Sequence, residues 1–138
     1  MQFTVRDWMI DLVVFIDPES TVAEGLALMR RRYIHSLIVN KSVESPEYGI
    51  VTSTDICDKI IAQEYNPAKT KIKDVMNSPL ITVTRTMSLK ECSLIMKKHH
   101  IHHLPVVDEH NTPIGMISAS DFLVAAEAMS REPGDRLS

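Results

Sequence analysis

The sequence predicts an α+β fold in which two copies of a β-α-β-β-α unit pack sheet against sheet. Three observations lead there. The chain repeats itself, each copy alternates short β-branched runs with capped helical stretches, and each copy is too small to bury a sizeable core alone.

The repeat carries the most weight. Val5-Arg6-Asp7-Trp8-Met9 aligns with Ile72-Lys73-Asp74-Val75-Met76, an offset of 67 residues. At the same offset Glu24 meets Glu91, Met29 meets Met96, Ile34-His35 meets Ile101-His102, Leu37 meets Leu104 and Val39 meets Val106. Beyond one gap the offset becomes 66, and Gly49-Ile50-Val51-Thr52-Ser53-Thr54-Asp55 matches Gly115-Met116-Ile117-Ser118-Ala119-Ser120-Asp121. The gap falls in the polar stretch 41–46, where a turn tolerates insertion. Two units result, 3–64 and 72–129, with a linker at 65–71 and a flexible tail at 130–138.

Within each unit the elements follow in order. Leu12–Ile16 and Leu80–Val83 are short runs rich in β-branched residues and read as first strands. Thr21-Val22-Ala23-Glu24 and Ser88-Leu89-Lys90-Glu91 have the hydroxyl-then-Glu spacing of capping boxes and start the first helices. Val22, Leu26 and Met29, and likewise Leu89, Ser93 and Met96, recur at helical spacing and form the expected inner faces. Arg30-Arg31-Arg32 and Lys97-Lys98-His99-His100 place cations where a helix C-terminus favours them. Leu37–Val39 and Leu104–Val107 read as second strands, and Gly49–Val51 and Ile114–Ile117 as third strands. The closing helices carry Ile56, Ile60 and Ile61 in one unit, and Phe122, Leu123, Ala126 and Met129 in the other.

Composition narrows the function. Of 138 residues, 44% are apolar and 24% charged, as in an ordinary folded domain. Lys and Arg total 15 against 18 Asp and Glu, a balance that disfavours a nucleic-acid backbone as partner. No apolar run approaches the roughly 18 residues of a membrane span, and the start lacks a signal-peptide pattern. A cytoplasmic protein with no membrane partner is expected. Cys57 and Cys92 follow no CxxC spacing and read as reduced thiols.

Asp7-x-Met9 and Asp74-x-Met76, the run Ile101-His102-His103-Leu104-Pro105-Val106-Val107-Asp108, and the two Gly-x-Val/Ile-Thr/Ser-x-x-Asp endings resemble the CBS (cystathionine β-synthase) domain family over residues 3–129. The resemblance implies two units about a pseudo-twofold axis. It also implies two clefts between them that hold AMP, ADP or ATP, with NAD and S-adenosylmethionine ranked behind. Such pairs often form homodimers.

Thr52-x-x-Asp55 and Ser118-x-x-Asp121 admit two compatible roles. Each fits a helix cap, although Asp is shorter than the Glu of the other two boxes and is expected to reach back less well. Each Asp also suits the two ribose hydroxyls of a nucleoside, while Thr52, Thr54, Ser118 and Ser120 suit phosphate together with the helix-start N–H groups. By resemblance His102, His103 and His35 face phosphate. Val14, Ile34 and Met9 wall the adenine at Asp121, and Ile81, Ile101 and Met76 wall it at Asp55. Plain core packing is the competing role for each of these apolar residues. The first unit departs from the pattern, with Ile38 for Pro105 and Ser36 for His103, so the Asp121 cleft is expected to carry the fuller set of contacts. The histidine run 99–103 alternates faces on an extended segment, and no metal site is expected.

No nucleophile or acid–base pair stands out, so no catalytic residue and no catalytic cofactor are expected. The expected function is a ligand-sensing module, with an adenine nucleotide as regulatory ligand and an effector protein reading the change. The alternative is an interaction dimer with vestigial clefts.

Overall fold

The computed structural model describes residues 3–131. Most of the expected tail at 130–138, from residue 132 on, lies outside the described residues. The fold is α+β and contains two three-stranded sheets.

One sheet comprises β1 (Phe15–Ile16), β2 (Ser36–Val39) and β3 (Gly49–Thr52), in that order. β1 runs parallel to β2 across helix α2 (Val22–Arg32), and β2 pairs antiparallel with β3. The other repeats the scheme with β4 (Val83–Thr84), β5 (His103–Val107) and β6 (Pro113–Ser118), where α4 (Leu89–His99) makes the crossover. The first strands are two residues each, shorter than the apolar runs at 12–16 and 80–83 suggest. Leu12 and Ile81 are 41% and 36% exposed, so those runs do not continue as buried strand. A short helix α1 (Val5–Trp8) opens the chain, and a single 3-10 turn, Ile72–Asp74, occupies the same place in the second repeat.

The compact units cut across the repeat. Residues 3–12 pack with 81–131, and residues 13–80 form the other unit. The expected division at 3–64 and 72–129 therefore describes sequence similarity, whereas each leading segment packs with the half of the chain it does not resemble. The cause is specific bonding. Val5 N–H donates to the Met87 carbonyl (2.9 Å), and Ile10 and Met116 exchange both main-chain bonds (2.8 and 2.9 Å). Ile50 and Asn77 do the same in the other unit (2.9 Å each). The cores follow suit: Val5 is fully buried among Val83, Leu89, Cys92, Leu104 and Ile117, while Ile72 is fully buried among Val22, Leu37, Val51 and Ile60.

Side-chain sizes are matched within each core. Helix α2 turns Val22, Gly25 and Met29 inward, and α4 turns Leu89, Cys92 and Met96. Leu26 packs half-buried on the core as its spacing suggested, beside Gly25, whereas α4 uses Cys92 in place of Ser93, which is exposed. A Cβ on Gly25 would stand 2.9 Å from the Ile72 δ-methyl. The larger Ile72 fills the room left by glycine, and in the other core the smaller Val5 shares a cluster with the larger Cys92. Burial pushes the Cys92 thiol up to about 11. Both cysteines are free, and Cys57 is exposed.

The start of α2 is satisfied by a local side chain and by distant carbonyls. Thr21 Oγ1 accepts from the Glu24 N–H (3.1 Å) and Glu24 Oε1 accepts from the Thr21 N–H (3.2 Å), a closed capping box. The carbonyls of Thr70 and Pro67 in the linker accept from the Val22 and Ala23 N–H groups (2.8 and 3.0 Å), so the linker supplies two more of the partners a helix start needs. Thr21→Ala is expected to cost about 1 kcal/mol in urea unfolding; an unchanged midpoint would show that the linker carbonyls alone suffice. Nearby, hydrogen bonds from Lys71 and then Lys73 hold the Glu19 carboxyl down to about 2. A carboxyl lowered in this way favours the folded state above its ordinary 4.5, and the benefit disappears as pH falls through 2.

The closing helices differ. α5 (Ala119–Met129) is a regular α-helix. Its counterpart begins as a single turn, α3 (Ser53–Asp55), and continues as a π-helix over Ile56–Ile61, with i→i+5 bonds such as Ala62 N–H to Cys57 carbonyl (3.0 Å). Of its three expected inner isoleucines, Ile60 is buried, Ile56 half-buried and Ile61 68% exposed.

Candidate functional site

The two strand-to-helix turns are built alike and bonded differently. β6 passes into α5 with Ser118 extended (φ −132°, ψ 168°). Asp121, in the first helical turn, accepts at Oδ2 from the Ser118 N–H (2.8 Å) and hydroxyl (3.2 Å). The Ser118 and Ser120 hydroxyls lie 2.8 Å apart. The shorter aspartate therefore reaches back without difficulty, contrary to expectation, because the extended cap residue brings its N–H over the first turn. Asp121 is half-buried, and its second oxygen, Oδ1, has no hydrogen-bond partner among the described residues.

Strand pairing brings the histidines to the same corner. His103 stands opposite Ser118, and the Ala119 N–H donates to the His102 carbonyl (2.9 Å). The His102 side chain is exposed and His103 is half-buried. Ser118, Ser120, Asp121, His102 and His103 thus gather in one unit, where Ile101 packs half-buried on the core. Met9 belongs to this unit also and lies over Gly115.

The matching turn in the other unit starts at Thr52 (φ −121°, ψ 168°). Asp55 Oδ2 accepts from the Thr52 N–H (2.8 Å) and hydroxyl (3.1 Å), as at Asp121. Here Oδ1 is occupied as well. It accepts from the Asn77 amide (2.9 Å) and pairs with the Lys59 ammonium (3.2 Å). Lys59 donates further to the Val75 carbonyl (2.8 Å) and Asn77 Oδ1 (3.2 Å). Asp55 is 6% exposed, and burying a carboxylate is tolerable when both oxygens are bonded and a cation is adjacent. Ser36 stands opposite Thr52, and the Ser53 N–H donates to the His35 carbonyl (3.0 Å). The exposed His35 and half-buried Ile34 line a cavity of about 410 Å³ with Ser53, Ile56, Arg30 and Tyr33. Thr54 is exposed, Val14 packs half-buried on the core, and Met76 lies over Gly49.

The apolar residues expected at each carboxylate divide between the units. Met9 shares a unit with Asp121 and Met76 with Asp55, whereas Val14 and Ile34 belong to the Asp55 unit and Ile81 and Ile101 to the Asp121 unit. Among the described residues, no group of three or more His, Cys, Asp or Glu side chains is placed to hold a metal ion. Also among the described residues, no helix is long and apolar enough to cross a membrane. Lys59 and Asn77 were not singled out from sequence. The signal lay in the repeat, where their counterparts are Ala125 and Ile10.

The CBS domain family model matches residues 5–62 and again 72–128. An uncharacterised protein of Methanopyrus kandleri is 32% identical over 80% of the chain, and the match spans 56% of that relative's length. A hexameric CBS-CP12 protein from bloom-forming cyanobacteria superposes with a TM-score of 0.86 at 29% identity, covering 98% of this chain and 78% of that one. The CBS domain pair of protein MJ0100, solved with 5′-methylthioadenosine and S-adenosyl-L-methionine, superposes with a TM-score of 0.79 at 22% identity, over 94% of this chain and 99% of that one.

Proposed function

The chain belongs to the CBS domain family, and from that premise we propose that it is a regulatory module binding an adenosyl compound, with AMP, ADP and ATP ranked first. One observation carries this reading. Asp121 is fixed by Ser118 through one oxygen and offers the other, beside two hydroxyls and a helix start whose Ala119 N–H bonds the His102 carbonyl. A carboxylate held in this manner suits a ribose diol, whose hydroxyls need a charged acceptor of fixed direction. The helix-start N–H groups and the exposed imidazole of His102 suit phosphate. The adenosyl ligands in the structure of the MJ0100 pair support the same chemistry.

The module acts by differential affinity: a ligand that binds one arrangement of the protein more tightly shifts the population toward it, and an effector protein or a second copy of the chain reads the shift. The groups gathered at Asp121 are hydrogen-bonding groups that hold a ligand, and the reading is of a binding protein rather than an enzyme.

Calorimetric titration with AMP, ADP, ATP, NAD and S-adenosylmethionine tests it. At least one is expected to bind, and Asp121→Ala is expected to weaken that binding ten- to a hundredfold, roughly the 1.5–3 kcal/mol of a charge-assisted hydrogen bond. Binding by none of the five would overturn the reading in favour of a docking protein without a ligand.

A further inference from the structure

We infer that Lys59 and Asn77 plug the Asp55 carboxylate from within, so that this chain takes a single adenosyl ligand, at Asp121. The inference rests on the reading of Asp121 given above and concerns how many of its two equivalent carboxylates are available. Both carboxylates use Oδ2 for the helix cap. They differ at Oδ1, the oxygen a ribose diol would need. At Asp55 that atom takes the Asn77 amide at 2.9 Å and the Lys59 ammonium at 3.2 Å. At Asp121 it has no partner among the described residues.

The plug is braced from several sides. Lys59 is tied to the Val75 carbonyl and to Asn77 Oδ1, so its ammonium has three protein acceptors for its three protons. Asn77 is itself held in the main-chain ladder by two bonds to Ile50. The π-helical turn that carries Lys59 is absent from the counterpart α5. A ligand approaching Asp55 would have to break an ion pair and an amide bond around a carboxylate that is 6% exposed, and would leave Lys59 and Asn77 needing new partners. At Asp121 the equivalent positions are Ala125 and Ile10, which offer neither a cation nor an amide. Asp55 is therefore a structural carboxylate and Asp121 a ligand-facing one.

Matched conservative variants separate the two roles, since asparagine retains an acceptor for the cap. Asp55→Asn is expected to lower the melting temperature clearly, while ligand stoichiometry stays at one per chain and affinity stays within twofold. Asp121→Asn is expected to do the reverse, leaving the melting temperature close to that of the parent and reducing affinity at least tenfold. Lys59→Met combined with Asn77→Ile removes both partners of Asp55 Oδ1, and this double variant is expected to admit a second ligand per chain. Two ligands per parent chain, or equal loss of binding from both asparagine variants, would overturn the inference and leave the reading of Asp121 standing. So would a folded double variant that still takes one. If the double variant does not fold, the asparagine pair decides. Absence of any binding to the parent protein would instead overturn the reading on which the inference rests.

Discussion

Removing residues 1–12 is expected to unfold residues 81–131 and to leave residues 13–80 the better-protected part of the chain. The missing piece belongs by similarity to the first repeat, so a reading by repeats predicts damage in the first half. The structure places the damage in the second. Val5 is fully buried in the core formed by Val83, Leu89, Leu104 and Ile117, and burying a valine is worth about 1.5–3 kcal/mol. The deletion also opens the bonds from Val5 and Arg6 to the Met87 and Arg85 carbonyls (2.9 Å each) and the reciprocal pair between Ile10 and Met116. The exposed edge of β6 would lose its only bonded neighbour on that side among the described residues. Together these place the loss above about 4 kcal/mol, a large part of a small protein's total stability. Hydrogen exchange reads the outcome by segment. Protection at 104–107 and 115–117 should collapse while 37–39 and 49–51 retain theirs, and the opposite distribution would contradict the packing described here.

Gly115→Ala is expected to destabilise the protein by about 3 kcal/mol, and Gly49→Ala by about 1 kcal/mol. The two glycines are equivalent in the repeat, so the difference comes entirely from what lies over them. A Cβ on Gly115 would stand 2.6 Å from the Ile10 carbonyl oxygen and closer still to the Met9 methyl. That carbonyl accepts from the Met116 N–H at 2.9 Å, and the Ile10 N–H donates to the Met116 carbonyl at 2.8 Å. The backbone cannot retreat without loosening both. A Cβ on Gly49 would meet the Met76 sulfur at 2.7 Å and the Asn77 carbonyl oxygen at 3.1 Å. Methionine is unbranched and rotates away readily, and the main chain needs to give only a few tenths of an ångström. Urea unfolding of the two variants tests the order. Equal losses would mean that the Ile10 segment yields as easily as a methionine side chain.

Much of the local structure could be read directly. The hydroxyl caps at Thr21 and Ser88 start helices where expected, although only Thr21 closes the reciprocal box, and Tyr33 and His100 end them in the same left-handed conformation (φ 55° and 53°). Strands β2, β3, β5 and β6 fall where the apolar runs place them, with boundaries extended by a residue or two. These features were legible because their causes lie within a few residues of one another: a hydroxyl and an acid three apart, or alternation along one strand. The short first strands were over-read because an apolar run does not say whether a neighbouring strand is there to pair with it. The π-winding after Asp55 was missed because the residues involved, Ile56 to Ile61, have the same apolar spacing that a regular helix would show.

The candidate site divides along the same line. Ser118, Ser120, Asp121, His102 and His103 were legible as a group because a strand register of a few residues brings them together. The closed state of Asp55 was not, because it depends on Asn77, which is 22 residues away. By itself the sequence determined the unit, its duplication, its helix starts and the two carboxylates, since each follows from contiguous residues repeated twice. Only the tertiary structure decided which leading segment completes which core and which carboxylate keeps an oxygen free. Those outcomes turn on close fits between distant residues, Val5 in the core that holds Ile117 and Asn77 against Asp55, and such fits depend on packing and hydrogen-bond geometry that no local pattern contains.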